Sequence, residues 1–192
     1  MNRKEIQEKR KRAYFIEAAK EIVKADGLKN LTVKKIAKKA GYASGTLYNH
    51  FESLNSLLFY SSLSFFDDCK KYVLENINSD ISCEKKAVEI AMLYSKYFVE
   101  NSNIFQLLFL ENLGKQNFKE HEPEILRLSR KNLIECADRD KIDKDEIDNI
   151  SALIANTIHG NLLFYFKGRM EIENDMILEK IRNEIEYIIY RN

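Results

Sequence analysis

The sequence predicts an all-α protein, and three observations carry that prediction. Apolar residues recur at i, i+3 and i+4 along most of the 192-residue chain. One proline and six glycines leave it without the turn punctuation that an all-β sandwich or barrel of this length requires. A hydrophobic share of 45%, with 11% aromatic residues, can bury a sizeable core without metals or disulfides. Collagen-like, disordered and disulfide-scaffold classes are thereby excluded.

No apolar stretch approaches the roughly 20 residues that span a bilayer. The best of them, Leu153 to Phe166, is interrupted by Asn156, Thr157, His159, Gly160 and Asn161. The charged start MNRKEIQEKRKR is followed by too few apolar residues for a signal-peptide core, so a soluble, cytoplasmic protein with no membrane partner is expected. Cys69, Cys83 and Cys136 have no Cys-x-x-Cys spacing and are expected to be helix residues with free thiols, neither a disulfide framework nor a zinc site. The net charge of +1 conceals an asymmetry: residues 1–50 hold 13 Lys and Arg against 5 Asp and Glu, whereas residues 51–192 hold 18 against 25. A basic segment of this kind fits a polyanion or, more blandly, a solvated lysine-rich surface.

The first predicted helix lies within KRKRAYFIEAAKEIVKA, where Phe15, Ala18, Ala19 and Ile22 share a face, and it ends near Gly27, a residue suited to a helix C-cap. Thr32 is a good N-cap for a second, which carries a narrow stripe of Val33, Ile36, Ala37 and Ala40 among Lys34, Lys35, Lys38 and Lys39. Gly41 breaks that pattern, and a third helix begins near Ala43 or Ser44 and runs to His50. Two short helices joined by a tight glycine turn form a helix-turn-helix. A helix entering a major groove needs small or hydrogen-bonding side chains near its N-terminus. Ser44, Gly45, Thr46, Tyr48 and Asn49 supply them, Tyr42 is a further DNA-binding candidate, and Leu47 and Phe51 are expected to turn inward. Thr32, Lys34, Lys35 and His50 are the expected phosphate contacts.

The stretch AYFIEAAKEIVKADGLKNLTVKKIAKKAGYASGTLYNHFESLNSLL resembles the DNA-binding region of the TetR (tetracycline-repressor-type) family of transcription regulators. Its most specific pieces are LTVKKIAKKAG, Leu31 to Gly41, and GTLYNHF, Gly45 to Phe51. The resemblance implies a helix-turn-helix DNA-binding domain over residues 1–52 and a larger helical regulatory and dimerisation domain over 53–192, about nine helices in all. Two departures stand out. Ala43 replaces a usual serine, so that Ser44 is a candidate cap, and Leu54 with Asn55 replaces a usual lysine and acidic residue. Loss of that lysine removes a usual phosphate contact, for which the backbone N–H groups after Ser53, Lys34 and Lys35, and the basic segment Arg3 to Arg12 are candidate substitutes.

Ser53 is positioned to cap a long fourth helix running to about Asn76. A fifth follows to near Asn101, a short apolar sixth over Asn103 to Leu113, and a seventh opening at Pro123 as a first-turn proline. An eighth helix, Asp145 to Lys167, carries Ile150, Ile154, Ile158 and Leu162 on one stripe and Leu153, Thr157, Gly160 and Phe164 on another. A ninth, about Asp175 to Tyr190, carries Ile177, Ile181, Ile185 and Ile188. In the family resembled, the last two helices pair with those of a second copy, which makes the eight residues Ile150, Ile154, Ile158, Leu162, Ile177, Ile181, Ile185 and Ile188 the expected homodimer interface. An intrachain core is the competing assignment. A dimer of such heads prefers a palindromic operator.

The resemblance also implies a small-molecule effector held by the body. Candidate lining residues are Phe65, Tyr94, Phe98, Phe105, Phe109, Asn156, His159 and Phe164, an aromatic set with sparse polar anchors, which fits a hydrophobic or aromatic ligand; each aromatic also fits a plain core. No cofactor and no metal are expected. His121, Glu122 and Glu124 have metal-ligand chemistry but sit in a polar connector and read as solvated surface. The chain shows no Gly-rich phosphate loop, nucleophile elbow or His-centred constellation, so an enzyme is not expected. Two functions stay open: a repressor released by a small molecule, and a DNA-binding architectural protein of the same fold without an inducer.

Overall fold

The computed structural model describes residues 2–114 and 122–190, and its regular elements over them are helices. They are α1 (Arg3–Asp26), α2 (Val33–Ala40), α3 (Ser44–Tyr48), α4 (Leu54–Asn76), α5 (Cys83–Glu100), α6 (Ser102–Phe105), α7 (Glu124–Asp138), α8 (Ile147–Phe166) and α9 (Asn174–Tyr190). The all-helical expectation, with a short helix-turn-helix ahead of longer helices, is what the chain adopts.

Local chemistry accounts for most boundaries. Asn2 and Glu5 close a reciprocal capping box on α1, each side chain accepting from the other's backbone N–H at 2.9 Å. Thr32 Oγ1 accepts from Lys35 N at 3.2 Å and Ser53 Oγ from Ser56 N at 3.1 Å, opening α2 and α4. Pro123 is the N-cap of α7 and not its first helical residue. Lys144–Glu146 form a single 3₁₀ turn before α8, so the eighth helix starts at Ile147. The sixth helix differs more: α6 has four residues and continues as a π-helical turn, Gln106–Leu110, ending at Glu111 where the backbone becomes extended. Apolar spacing over Asn103 to Leu113 signals a buried helical face but does not distinguish a hydrogen-bond step of four from one of five.

Packing divides the chain into two compact units, Met1–Phe66 with Asn101–His121, and Asp67–Glu100 with Glu122–Asn192. In the first, Phe15, Ala18, Ala19 and Ile22 of α1 close on Ile36 and Ala37 of α2, Leu47 of α3, Phe51 and Leu57. Leu54 packs against this cluster, so the residue standing in place of a lysine adds apolar contact. The buried Lys20 side chain donates to Ser64 Oγ at 2.8 Å and lies over the Phe65 ring. Asn103 donates to the carbonyl of Lys24 and sits 3.0 Å from where a Cβ on Gly27 would stand.

In the second unit α9 packs on α5 and α8, and α7 on α5 and α8. Here an expectation is corrected. Ile150, Ile154, Ile158, Leu162, Ile177, Ile181 and Ile185 are all buried within the single chain, with Ile188 half-buried beside a buried Ile189, so these residues form the unit's own core. The cause is geometric: α9 must bury one face against α5 and α8, and its only continuous aliphatic stripe is this one. The stripe left outside is the other one, with Leu153 and Phe164 each 51% exposed, joined on α9 by Met176, Tyr187 and Tyr190.

Ile181→Ala, which empties a fully buried site, is expected to lower unfolding stability by roughly 2–5 kcal/mol in urea titration. A residue needed only at a surface would change it by less than about 0.5 kcal/mol.

Candidate nucleic-acid interface and effector cavity

The helix-turn-helix is set by one backbone conformation. Gly41 adopts φ 80° and ψ 26°, a left-handed position that closes α2, and the Tyr42 N–H returns to the Ala37 carbonyl at 2.9 Å. That turn delivers α3 with Leu47 fully buried and its polar residues outward. Ser44, Gly45, Tyr48 and Asn49 are exposed, Thr46 is half-buried, and Tyr48 is 56% exposed, which is unusual for a large ring with no surface to cover. Thr32, Lys34 and Lys35 are exposed on α2. Among the described residues Lys34, Lys35 and Lys38 have no ion-pair partner, whereas Lys39 is held by Glu21 at 2.6 Å.

Three expected residues are placed differently. Ser44 is the first residue of α3 and does not cap it; Ala43 is the N-cap, with no side-chain bond to the helix. Tyr42 is half-buried, its ring against Phe15 at 5.4 Å and Tyr14 at 6.4 Å, so it supports the turn as well as edging the surface. His50 is turned inward: its side chain is 7% exposed, with Nε2 3.5 Å from Glu8. Glu8 also accepts from Lys11, which holds its carboxyl below the ordinary range. A histidine at the end of so short a helix has neighbours on α1 that α3 periodicity does not reveal.

The candidate effector residues are divided between the two units. Phe65 and Phe105 are buried and Phe109 half-buried in the first unit, where Phe109 meets Phe105 at 4.9 Å and Phe66 at 6.1 Å. Tyr94, Phe98 and His159 belong to the second, and Asn156 and Phe164 are exposed. A small cavity of about 50 Å³ in the second unit is lined by Ile90, Ala91 and Tyr94 of α5, Ile125, Leu126 and Ser129 of α7, and Ser151, Ile154, Ala155, Ile158 and His159 of α8. Of the eight candidates, only Tyr94 and His159 line it. Their side chains hydrogen-bond, Tyr94 Oη to His159 Nε2 at 2.9 Å. Burial pushes the His159 pKa down to about 4 and the Tyr94 hydroxyl well up, so both are neutral near pH 7. The small residues Ala91, Ser129, Ser151 and Ala155 were the missed signal, since facing helices leave space where side chains are short. His121 lies outside the described residues, while Glu122 and Glu124 both pair with Arg127, at 3.1 and 2.7 Å.

Residues 15–60 match the model of the bacterial regulatory proteins of the tetR family. The fatty acid metabolism regulator protein of Bacillus subtilis (strain 168) is 33% identical over 93 residues, 48% of this chain and 46% of that protein. The match thus spans about half the length of this curated relative. Among solved structures, the transcriptional regulator FadR from Bacillus subtilis in complex with stearoyl-CoA is similar at a TM-score of 0.71 and 18% identity, over 92% of this chain and 97% of that one. The fatty acid degradation regulator FadR from Bacillus halodurans is similar at 0.67 and 17%, over 93% and 94%. Residues 15–60 thus carry the motif of the tetR family of bacterial regulatory proteins, and the chain shares its fold with these solved structures.

Proposed function

We propose that the chain is a homodimeric, sequence-specific transcription regulator, with residues 1–52 binding DNA and 53–192 regulating and dimerising, that represses from a palindromic operator. The single observation that carries this is α3: a polar face of exposed Ser44, Gly45, Tyr48 and Asn49 with half-buried Thr46, held from behind by the fully buried Leu47. Thr32, Lys34, Lys35 and the edge of Tyr42 flank it as phosphate contacts. A cytoplasmic location goes with such a function, and no helix among the described residues is long and apolar enough to cross a membrane.

Dimerisation is assigned to the exposed stripe of α8 and α9. Leu153, Thr157, Gly160 and Phe164 share one face of α8 at i, i+4, i+7 and i+11, and Met176 and Tyr187 are exposed on α9, which packs on α8. Apart from its chain neighbours and its own helix backbone, no atom of the described residues lies within 4 Å of a Cβ built on Gly160, so the glycine is available for close approach of a second copy's helix.

For the effector, the relatives named for fatty acid control and the neighbour holding stearoyl-CoA support a long-chain acyl-CoA, and the apolar cavity between α5, α7 and α8 supports the acyl end. A space of about 50 Å³ holds on the order of one or two waters. Ligand entry therefore separates these helices, and release from DNA follows from tighter binding to the separated form. The same small volume favours the second reading, a DNA-binding protein without an inducer. Fragments of host DNA retained at two salt concentrations supply the operator, because non-specific phosphate binding falls steeply with salt. Stearoyl-CoA added to the operator complex is expected to dissociate it, and an unchanged complex would leave the inducer-free reading.

Tyr48→Ala with Thr46→Ala is expected to weaken operator binding by roughly 10–100-fold and flatten preference among operator variants in anisotropy titrations. Unchanged affinity and preference would remove α3 as the reading element. Leu153→Glu with Tyr187→Glu is expected to convert dimer to folded monomer in sedimentation equilibrium. For His159, whose folded pKa lies below its unfolded value, the neutral ring contributes stability that is present above about pH 6.5 and lost as pH falls toward 4. The melting temperature of His159→Gln should therefore fall less over that interval than that of the wild type.

A further inference from the structure

The first three turns of α1 have no place in the core. Phe15 is the first buried residue of that helix, so Arg3 to Tyr14 extend about 18 Å, at 1.5 Å per residue, without adding to the apolar cluster. They are nevertheless fixed in place. The Arg12 guanidinium lies 3.9 Å from the centre of the Tyr60 ring and 4.9 Å from that of Phe51, and Glu8 meets His50 just past α3. The acidic residues here are used internally, Glu5 in the capping box and Glu8 with Lys11 and His50. What remains outward is a face of Arg3, Gln7, Arg10 and Tyr14, which repeat at i, i+4, i+7 and i+11 and so lie in one row. Among the described residues neither arginine has an ion-pair partner, and the row ends at Tyr14, 54% exposed, its ring beside Tyr42 at the mouth of α3.

We propose that this row, through Arg3, Gln7 and Arg10, is a second DNA-contacting surface that tracks the phosphate backbone of the duplex flanking the site read by α3. It rests on the DNA-binding function assigned above. Charge complementarity and continuity with α3 through Tyr14 and Tyr42 identify the partner as duplex DNA, and a helix pinned by stacking and by the Glu8–His50 contact is a preordered surface that gives up little entropy on binding.

The test uses the full chain, the duplex recovered by fragment selection, and the variant Arg3→Gln with Arg10→Gln, which keeps helix propensity nearly constant. Anisotropy titrations across a salt series compare duplexes with flanks of about 3 and about 12 base pairs beyond the site, the longer one exceeding the roughly 18 Å reach of the helix. On the long duplex the variant should bind about 5–50-fold more weakly, with the slope of log K against log salt reduced by about 0.9 for each phosphate that is no longer neutralised. On the short duplex it should match the wild type within about 2-fold, and relative preference for the site should be kept. Lys85→Gln with Lys131→Gln, which removes the same charge from the other unit, should change neither affinity. Equal affinity and slope for variant and wild type on the long duplex would overturn the proposal, as would an equal weakening on both duplexes or an equal weakening with the Lys85 and Lys131 variant. A wild type that retains no salt-resistant fragment would sink the DNA-binding reading itself.

Discussion

A helix of five residues does not form on its own, because nucleating a turn costs more than so few hydrogen bonds return. α3 therefore exists through one tertiary contact, Leu47 seated at zero exposure against Phe15, Ile36 and Ala37. Everything else in the first unit serves that seat. Gly41 aims the chain at it, Phe51 closes it from below and meets Phe15 edge-on, and Tyr42 covers its rim. The polar face of α3 is presented because its one apolar side chain is so firmly committed on the opposite side. A recognition surface held in this way is rigid at the backbone while its small and hydroxyl side chains stay free to pair with base edges.

The sequence made the elements of this fold readable where periodicity, caps and breakers agree. α4 runs from behind Ser53 to Asn76, and α9 lies within a residue of its expected span, because each has both an apolar repeat and a terminating signal. Periodicity loses its power where a helix has two apolar stripes. α8 carries one of isoleucines with Leu162 and one of Leu153, Thr157, Gly160 and Phe164, and nothing within α8 says which faces its own chain. The answer sits on α9, whose uninterrupted Ile177, Ile181, Ile185 and Ile189 claim the isoleucine stripe for the monomer. Composition held a clue, since purely aliphatic stripes suit a permanent dry core while Thr157, Gly160 and Tyr187 suit a surface first exposed and later covered.

Only two of the eight effector candidates line the cavity of the second unit, for a related reason. Aromatic residues were selected by chemistry, and large rings are what fill space; space is left by short side chains on facing helices. Tyr94 and His159 combine both properties, large enough to reach across and polar enough to need each other, and they line the cavity beside Ala91 and Ser129. A buried hydrogen bond between two neutral groups is a switchable contact. It contributes about 1 kcal/mol while intact, and an incoming polar group can replace either partner without leaving a charge unsolvated. The cavity is thus small but is not sealed by bulk, and its polar pair is positioned where helices would have to part.

Electrostatics ties the two halves of the first unit together more tightly than net charge implies. Of the five acidic residues among the first fifty, Glu5, Glu8, Glu17 and Glu21 are engaged inside the unit by Asn2, by Lys11 and His50, by Lys20 and by Lys39. Those pairings neutralise negative charge at the surface but occupy only three of the thirteen cations. Arg3, Arg10, Lys34, Lys35 and Lys38 stay exposed without a carboxylate, on the two helices that flank α3. Surface ion pairs contribute little to stability, typically below about 1 kcal/mol each, so their value here lies elsewhere. By neutralising acids locally they leave the remaining lysines and arginines free, under the proposed function, to act together on a polyanion, while the exposed face of α3 carries no charge at all. Affinity and selectivity are in this way assigned to different side chains, and each can change without disturbing the other.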